Sequence, residues 1–243
     1  MTHLVLLHAF PVNRHLWDDQ VEYLTKAGRR VLTPDVAGFG DSQVPQEATM
    51  TALAESVLSQ VGQPSVFAGL SMGGYILMEI LRLHPEMVSG AVFMDTKASA
   101  DTEEARAQRL QVADAVLAAG QTRDLADAML PKLLGETTRL QNAPVVDRVR
   151  GWIEAARPEA VATAQRAMAD RPDSVHTLRR YEGPALVVWG SEDTISPAAD
   201  QRVMLDAMPQ AVGREIPESG HLSAVEQPSA VNDVLLEVLS DWQ

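Results

Sequence analysis

Residues 65–83 read Ser65-Val66-Phe67-Ala68-Gly69-Leu70-Ser71-Met72-Gly73-Gly74-Tyr75-Ile76-Leu77-Met78-Glu79-Ile80-Leu81-Arg82-Leu83. The first four residues form a short run of strand type, and from Met72 to Leu83 apolar residues fall at helical spacing. Between them, Gly69-Leu70-Ser71-Met72-Gly73-Gly74 predicts a sharp strand-to-helix turn with a serine at its apex. A serine so placed sits in a strained backbone conformation, of order 1–3 kcal/mol, and bulky neighbours would clash. The small residues on either side are what make the turn possible. The helix that starts at Met72 then aims its first amides at the serine oxygen, where negative charge develops during acyl transfer.

Outward from this turn the chain keeps one rhythm. Short apolar runs at Leu4 to Leu7, Arg30 to Thr33, Ser65 to Ala68, Ala91 to Met94, Ala185 to Trp189 and Val212 to Ile216 are each followed by a helical pattern. The helices are predicted at Trp17 to Ala27, Thr51 to Val61, Met72 to Leu83, Ala198 to Met208 and Pro228 to Leu239. That alternation predicts an α/β fold with a mostly parallel sheet of about six strands and helices on both faces. Between Met94 and Ala185 the rhythm breaks into an Ala-, Arg- and Leu-rich stretch without a strand. It reads as an inserted helical cap, with helices near Thr102 to Ala119, Thr122 to Leu130, Val145 to Ala156 and Pro158 to Ala169. The expected division is a core of residues 1–95 and 182–243 and a cap of residues 96–181.

The composition narrows the function classes. With 243 residues and 46% hydrophobic content the chain can bury a large core, and 22% charged residues with no internal repeat argue against extended disorder. A net charge of -13 repels phosphate backbones and anionic lipid surfaces, so nucleic acid and membrane are not expected partners. The absence of cysteine excludes disulfides, thiolate metal sites and cysteine nucleophiles. The sequence opens Met1-Thr2-His3 and passes straight into Leu4 to Leu7, without a basic leader or an apolar run of signal or membrane length, so a cytoplasmic protein is expected.

Serine needs a base to act as a nucleophile, and six histidines compete: His3, His8, His15, His84, His176 and His221. His3 is terminal, His84 closes a helix beside Pro85, and His176 lies in the connection leaving the cap. His8 suits a loop organiser. His221 stands in Glu218-Ser219-Gly220-His221, a polar turn between the last strand and the last helix, where a loop can hang an imidazole over the strand ends. Two aspartates follow strands, Asp95 and Asp193. Asp193, in the turn Trp189 to Pro197, is favoured as the acid that holds the imidazole tautomer, with Asp95 as the alternative, otherwise a strand-end or cap-hinge residue. The turn His8-Ala9-Phe10-Pro11 can supply the Phe10 amide as partner to the Met72 amide in an oxyanion hole.

At these residues the chain resembles the α/β-hydrolase superfamily over nearly its whole length. The matching pieces are His8 to Pro11, Asp35 to Ser42, the serine turn, Gly190 to Asp193 with Pro197, and Gly220-His221 followed by Glu226-Gln227-Pro228. The serine turn and Met94-Asp95-Thr96 leading into an acidic, Ala-rich helix look most like the 3-oxoadipate enol-lactonase and small-ester hydrolase group. The resemblance implies acyl transfer through Ser71, His221 and Asp193, from a small carboxylic ester or lactone, with no cofactor and no metal. The same triad could serve perhydrolysis, carbon–carbon bond hydrolysis or a lyase reaction, or a slow-turnover signal receptor. Met129, Leu130, Leu133, Trp152, Ile153 and Met168 are apolar cap residues that could line a substrate pocket, or simply pack the cap onto the core. Two departures stand out: Ala9 replaces a usual glycine, which puts the shape of the oxyanion turn in question, and the usual N-terminal antiparallel strand pair is lacking. Arg30 to Thr33 is then expected to be an exposed edge through which the protein could dimerise, leaving monomer and homodimer open.

Overall fold

The computed structural model describes residues 3–242. Its core elements in chain order are β1 (His3–Leu7), α1 (Asp18–Lys26), β2 (Arg30–Leu32), α2 (Met50–Val61), β3 (Ser65–Leu70), α3 (Met72–Leu83) and β4 (Val88–Met94). Six helices follow without a strand: α4 (Glu103–Ala119), α5 (Arg123–Leu133), α6 (Glu136–Gln141), α7 (Ala143–Glu154), α8 (Pro158–Ala169) and α9 (Val175–Arg179). The core resumes with β5 (Ala185–Gly190), α10 (Ala198–Ala207), β6 (Val212–Ile216), α11 (Ser223–Glu226) and α12 (Pro228–Asp241).

The six strands form one sheet in the order β2-β1-β3-β4-β5-β6, and every pairing is parallel. Its inner strands are apolar on both sides: all six residues of β3 are buried, as are Leu4 to Leu7 of β1. Such unbroken burial is what helices on both faces require of a parallel strand. The edge strands differ, since Arg30 and Leu32 of β2 and Val212 of β6 are exposed. From β1 the chain moves outward to β2, then returns across β1 to reach β3 and continues the other way. This reversal opens a crevice at the carboxyl ends of β1 and β3, the position where parallel α/β sheets bind ligands. The register continues beyond the strand ends. Ser71 N–H donates to Met94 O (2.8 Å), Asp95 N–H to Val188 O (2.9 Å) and Ser191 N–H to Ile216 O (2.9 Å). The residues that leave β3, β4 and β5 therefore stand side by side on one rim.

The cap is built from helix pairs, with α4 lying along α8 and α5 along α7. Its longest helix starts at Thr102, whose hydroxyl accepts from Ala105 N–H (3.3 Å), and stops at Gly120 in the left-handed region (φ 63°). Three details depart from the expected boundaries. Helix α5 runs through Pro131 to Leu133, since the carbonyl left unpaired by the proline belongs to exposed Asp127 and can meet water. Helix α7 begins before Val145, at Ala143, because Pro144 sits in its first turn and the Asn142 side chain caps it. The short helices α6 and α9 fall where the sequence predicts only connections.

Candidate active site

The serine turn is set by backbone contact. Ser71 has φ 54° and ψ -110°, a strained conformation for a residue with a side chain. It persists because its neighbours leave no alternative. A Cβ on Gly69 would lie 2.3 Å from Gly73 O, and one on Gly73 would lie 2.2 Å from Leu7 O, so α3 touches both β3 and β1 through main chain. The Ser71 carbonyl accepts from Gly74 N–H (2.9 Å), Tyr75 N–H (3.2 Å) and the Thr96 hydroxyl (2.8 Å).

His221 meets this serine. Its Nε2 lies 2.7 Å from Ser71 Oγ, and its Nδ1 lies 2.8 Å from Asp193 Oδ2. All three residues are buried. The Asp193 carboxylate is fully engaged: Oδ1 accepts from Ile195 N–H (2.8 Å) and Ser196 N–H (3.1 Å), and Oδ2 accepts from the Ser196 hydroxyl (2.6 Å). Burial alone would raise this carboxyl. The charge and hydrogen bond of His221, with the hydrogen bonds from the Ser196 hydroxyl and N–H, outweigh burial and hold it down at about 2. Burial likewise disfavours the His221 imidazolium, but Asp193, with Asp95 and Glu226 beyond it, leaves the imidazole more basic than usual. Ser196 is a contact that residue types alone did not single out; its signal is the spacing Asp193-Thr194-Ile195-Ser196, which suits an aspartate turned back onto its own loop.

Asp95, the other acid, is fully buried behind this line and does not touch His221 by hydrogen bond. It has φ 44°, accepts from Gly190 N–H (2.9 Å) through Oδ1, and from Ser223 N–H (3.2 Å) and the Ser223 hydroxyl (2.5 Å) through Oδ2. It thereby ties the start of the Asp193 loop to the end of the His221 loop. Burial, and then the charge of Asp193, push its carboxyl up to about 8.

On the opposite side of Ser71 lies the His8 to Pro11 turn. His8 Nδ1 donates to Ala9 O (2.9 Å) and Nε2 accepts from Val36 N–H (2.9 Å), which requires the neutral ring; burial, lowering its basicity, favours that form. His8 thus joins the β1 turn to the Asp35 to Ser42 segment. Ala9 is accommodated, being fully buried with its carbonyl also taken by Val12 N–H (3.2 Å). Among the described residues, neither Phe10 N–H nor Met72 N–H donates to a protein acceptor.

Of the apolar cap residues, Leu130, Leu133, Ile153 and Met168 are buried in the continuous hydrophobic core, with Met129 and Trp152 packed against it. Trp152 also lines a cavity of about 270 Å³ whose other walls include Pro11, Val12, Arg14, Phe39 and Arg157. The Leu133 carbonyl accepts from His221 N–H (3.0 Å). No group of His, Cys, Asp or Glu among the described residues is arranged to hold a metal ion.

Residues 2–228 match the alpha/beta hydrolase fold family, and the chain belongs to it. It superimposes with a TM-score of 0.95 on an esterase from Thermogutta terrifontis, at 37% identity, covering 100% of this chain and 90% of that one. An enol-lactonase from Burkholderia xenovorans LB400 gives a TM-score of 0.90 at 25% identity, covering 98% and 91%. In sequence, the chain is 31% identical to the dihydrolipoyllysine-residue acetyltransferase component of an acetoin cleaving system from Pseudomonas putida. That match takes in 98% of this chain but only 63% of the longer relative.

Proposed function

We propose that the protein is a serine hydrolase of small carboxylic esters or lactones, with Ser71 as nucleophile, His221 as general base and acid, and Asp193 as the carboxylate that orients it. The reading rests above all on the continuous hydrogen-bonded line from Ser71 Oγ through His221 to Asp193 at the carboxyl rim of the sheet. In this mechanism Ser71 Oγ attacks the ester carbonyl carbon as its proton passes to His221 Nε2. The carbonyl oxygen becomes an anion received by the Phe10 and Met72 amides. Collapse of this intermediate breaks the bond to the alcohol oxygen, which takes the proton from His221 and leaves an acyl-serine. A water molecule, deprotonated by His221, then releases the acid. Asp193 accepts the Nδ1–H throughout and stabilises the imidazolium without taking the proton.

The esterase and enol-lactonase relatives support an ester or lactone as substrate. We take residues 96–181 as the cap that selects it, with Met129, Leu130, Leu133, Trp152, Ile153 and Met168 as its apolar surface toward the acyl or alcohol group. No helix among the described residues is long and apolar enough to cross a membrane, and a cytoplasmic location fits this reading.

The test is labelling with a fluorophosphonate and turnover of short-chain aryl esters and lactones by the wild type and by Ser71→Ala. Ser71→Ala should lose labelling and lower kcat by about 10⁶-fold with the fold unchanged. Labelling without turnover on any ester or lactone would refute the hydrolase. Because His221 acts as a base only when neutral and its basicity is raised, kcat/KM should climb with pH along a limb centred above the ordinary histidine value of 6.5.

A further inference from the structure

The loop that carries His221 is hydrogen-bonded at three successive main-chain amides, one of them by Glu226, a residue outside the triad. Gly220 N–H faces the Glu226 carboxyl, His221 N–H donates to Leu133 O (3.0 Å), Leu222 N–H donates to Glu226 Oε1 (3.0 Å) and Ser223 N–H donates to Asp95 Oδ2 (3.2 Å). The second oxygen of Glu226 accepts from Gly135 N–H (2.7 Å), and the Thr138 hydroxyl faces the same carboxyl. Leu133, Gly135 and Thr138 belong to the junction between α5 and α6 in the cap. The carboxyl of Glu226, a residue 5% exposed, is therefore shared between the backbone of the histidine loop and the backbone of the cap.

The fit around it is close. A Cβ on Gly220 would lie 2.2 Å from Gly135 N, and a Cβ on Gly135 would lie 2.8 Å from Gly220 N. The next turn of the junction is gripped from the Asp193 loop, where Glu192 accepts from Thr137 N–H (3.0 Å) and from the Thr137 hydroxyl (2.5 Å). A buried carboxylate is costly unless its oxygens are satisfied; burial raises the Glu226 carboxyl above the usual glutamate range, and the N–H donors arriving on both oxygens oppose that rise. A glutamine would offer one acceptor and present its NH2 group to a second N–H. The donors thus favour two acceptor oxygens at this position, and the charge of the carboxylate also bears on His221.

We propose that Glu226 is a positioning residue that makes the placement of the His221 imidazole conditional on the seating of the α5–α6 junction, so that cap and triad act as one unit. The proposal rests on the reading of Ser71, His221 and Asp193 as the catalytic line. Lifting the junction removes Leu133 O from His221 N–H and Gly135 N–H from Glu226 together, and the imidazole loses its register on Ser71. Ester cleavage then proceeds only beneath a seated cap.

Two measurements test it. The first compares wild type with Glu226→Gln in kcat, KM and the pH dependence of kcat/KM on a short aryl ester. The titratable groups facing His221 are Asp193, Asp95 and Glu226, and the titratable and charged groups on the adjoining turn are Glu192 and Arg139. Glu226→Gln should lower kcat by about 100-fold with KM nearly unchanged, the effect of a reacting group displaced by about 1 Å, and should move the acid limb to lower pH. An unmoved limb with kcat within about twofold of wild type overturns the proposal. The second measurement needs no variant: native-state hydrogen exchange of the wild type with increasing denaturant. Residues 133–138 and 220–223 should open in one step with a common denaturant dependence. Separate opening overturns the coupling even if Glu226→Gln fails to fold. Turnover that survives Ser71→Ala would instead defeat the hydrolase reading, while the exchange result would still stand for the coupling.

Discussion

Around Ser71 the main chain itself fills the space, whereas in the cap the helices meet through side chains, apolar ones such as Leu130, Val149 and Ile153 within and charged ones at the surface. Gly73 brings α3 against Leu7 O and Gly69 against Gly73 O with no room for a methyl group. In the cap, Arg106–Asp170 (2.7 Å), Arg150–Asp127 (2.6 Å) and Arg166–Asp114 (2.9 Å) are ion pairs between largely exposed partners, each worth at most about 1 kcal/mol. The exception is Asp101, whose carboxylate is buried just before α4 begins and is paired with Arg171 (2.8 Å) and Arg109. Arg171 in turn stacks 4.1 Å over the Tyr75 ring of α3, so this cluster joins cap to core. The difference teaches that a rim built from backbone contacts tolerates almost no change in shape, while the outer faces of cap helices that meet through side chains tolerate far more.

The contrast can be broken at its strongest point by Gly73→Ala, which should cost roughly 4 kcal/mol, at the exceptional end for a single substitution, and abolish turnover. Urea unfolding measures it, and a loss under about 1 kcal/mol would mean that α3 can slide off β1. Asp101→Asn should cost about 3 kcal/mol, because it leaves the buried Arg171 and the half-buried Arg109 without their anion; a near-neutral result would place the cluster with the surface pairs. Asp95→Asn tests the charge behind the triad. A carboxyl raised to about 8 when folded and near 3.8 when unfolded favours the folded state in its protonated form, so its contribution declines as pH rises between those values. Thermal unfolding should show the wild type losing stability relative to Asp95→Asn between about pH 4 and pH 8, and parallel curves would contradict the shift. Smallest is Gly151→Ala, in α7 with open space around the added methyl, which should stabilise the protein by about 1 kcal/mol. The same replacement is thus expected to act with opposite signs in the two regions, and destabilisation by Gly151→Ala would erase the contrast.

These regions also differ in how far their letters reveal them. The sheet and the Ser71 turn were legible because a parallel strand must be apolar throughout and because a tight strand-to-helix turn demands glycine at fixed places. Ser71, His221 and Asp193 each stand just beyond a strand end, but so does Asp95, and only the turn Trp189 to Pro197 favoured Asp193 over it. Asp95 reads as a strand-end residue, and nothing local tells that its oxygens reach Gly190 and Ser223. Glu226 reads as an ordinary acidic residue before a proline; its partners at Gly135 and Leu222 depend on how a distant helix junction is seated. The burial of Ile153 or Met168 is equally a matter of packing between helices, which periodicity fixes only to a face. Helices α6 and α9, of six and five residues, are too short for a periodic signal.

The cavity wall formed by Trp152 has a practical consequence. The other indoles, Trp17, Trp189 and Trp242, lie outside the stretch between β4 and β5, and Trp152 is the one within it, beneath the Arg148 guanidinium at 5.6 Å. Its emission is exposed to quenching and solvent relaxation whenever that helix shifts against the turn after β1. With the remaining three replaced by phenylalanine, the protein would carry its own optical gauge of how α7 sits against the turn after β1, readable in a stopped-flow cuvette without any attached dye.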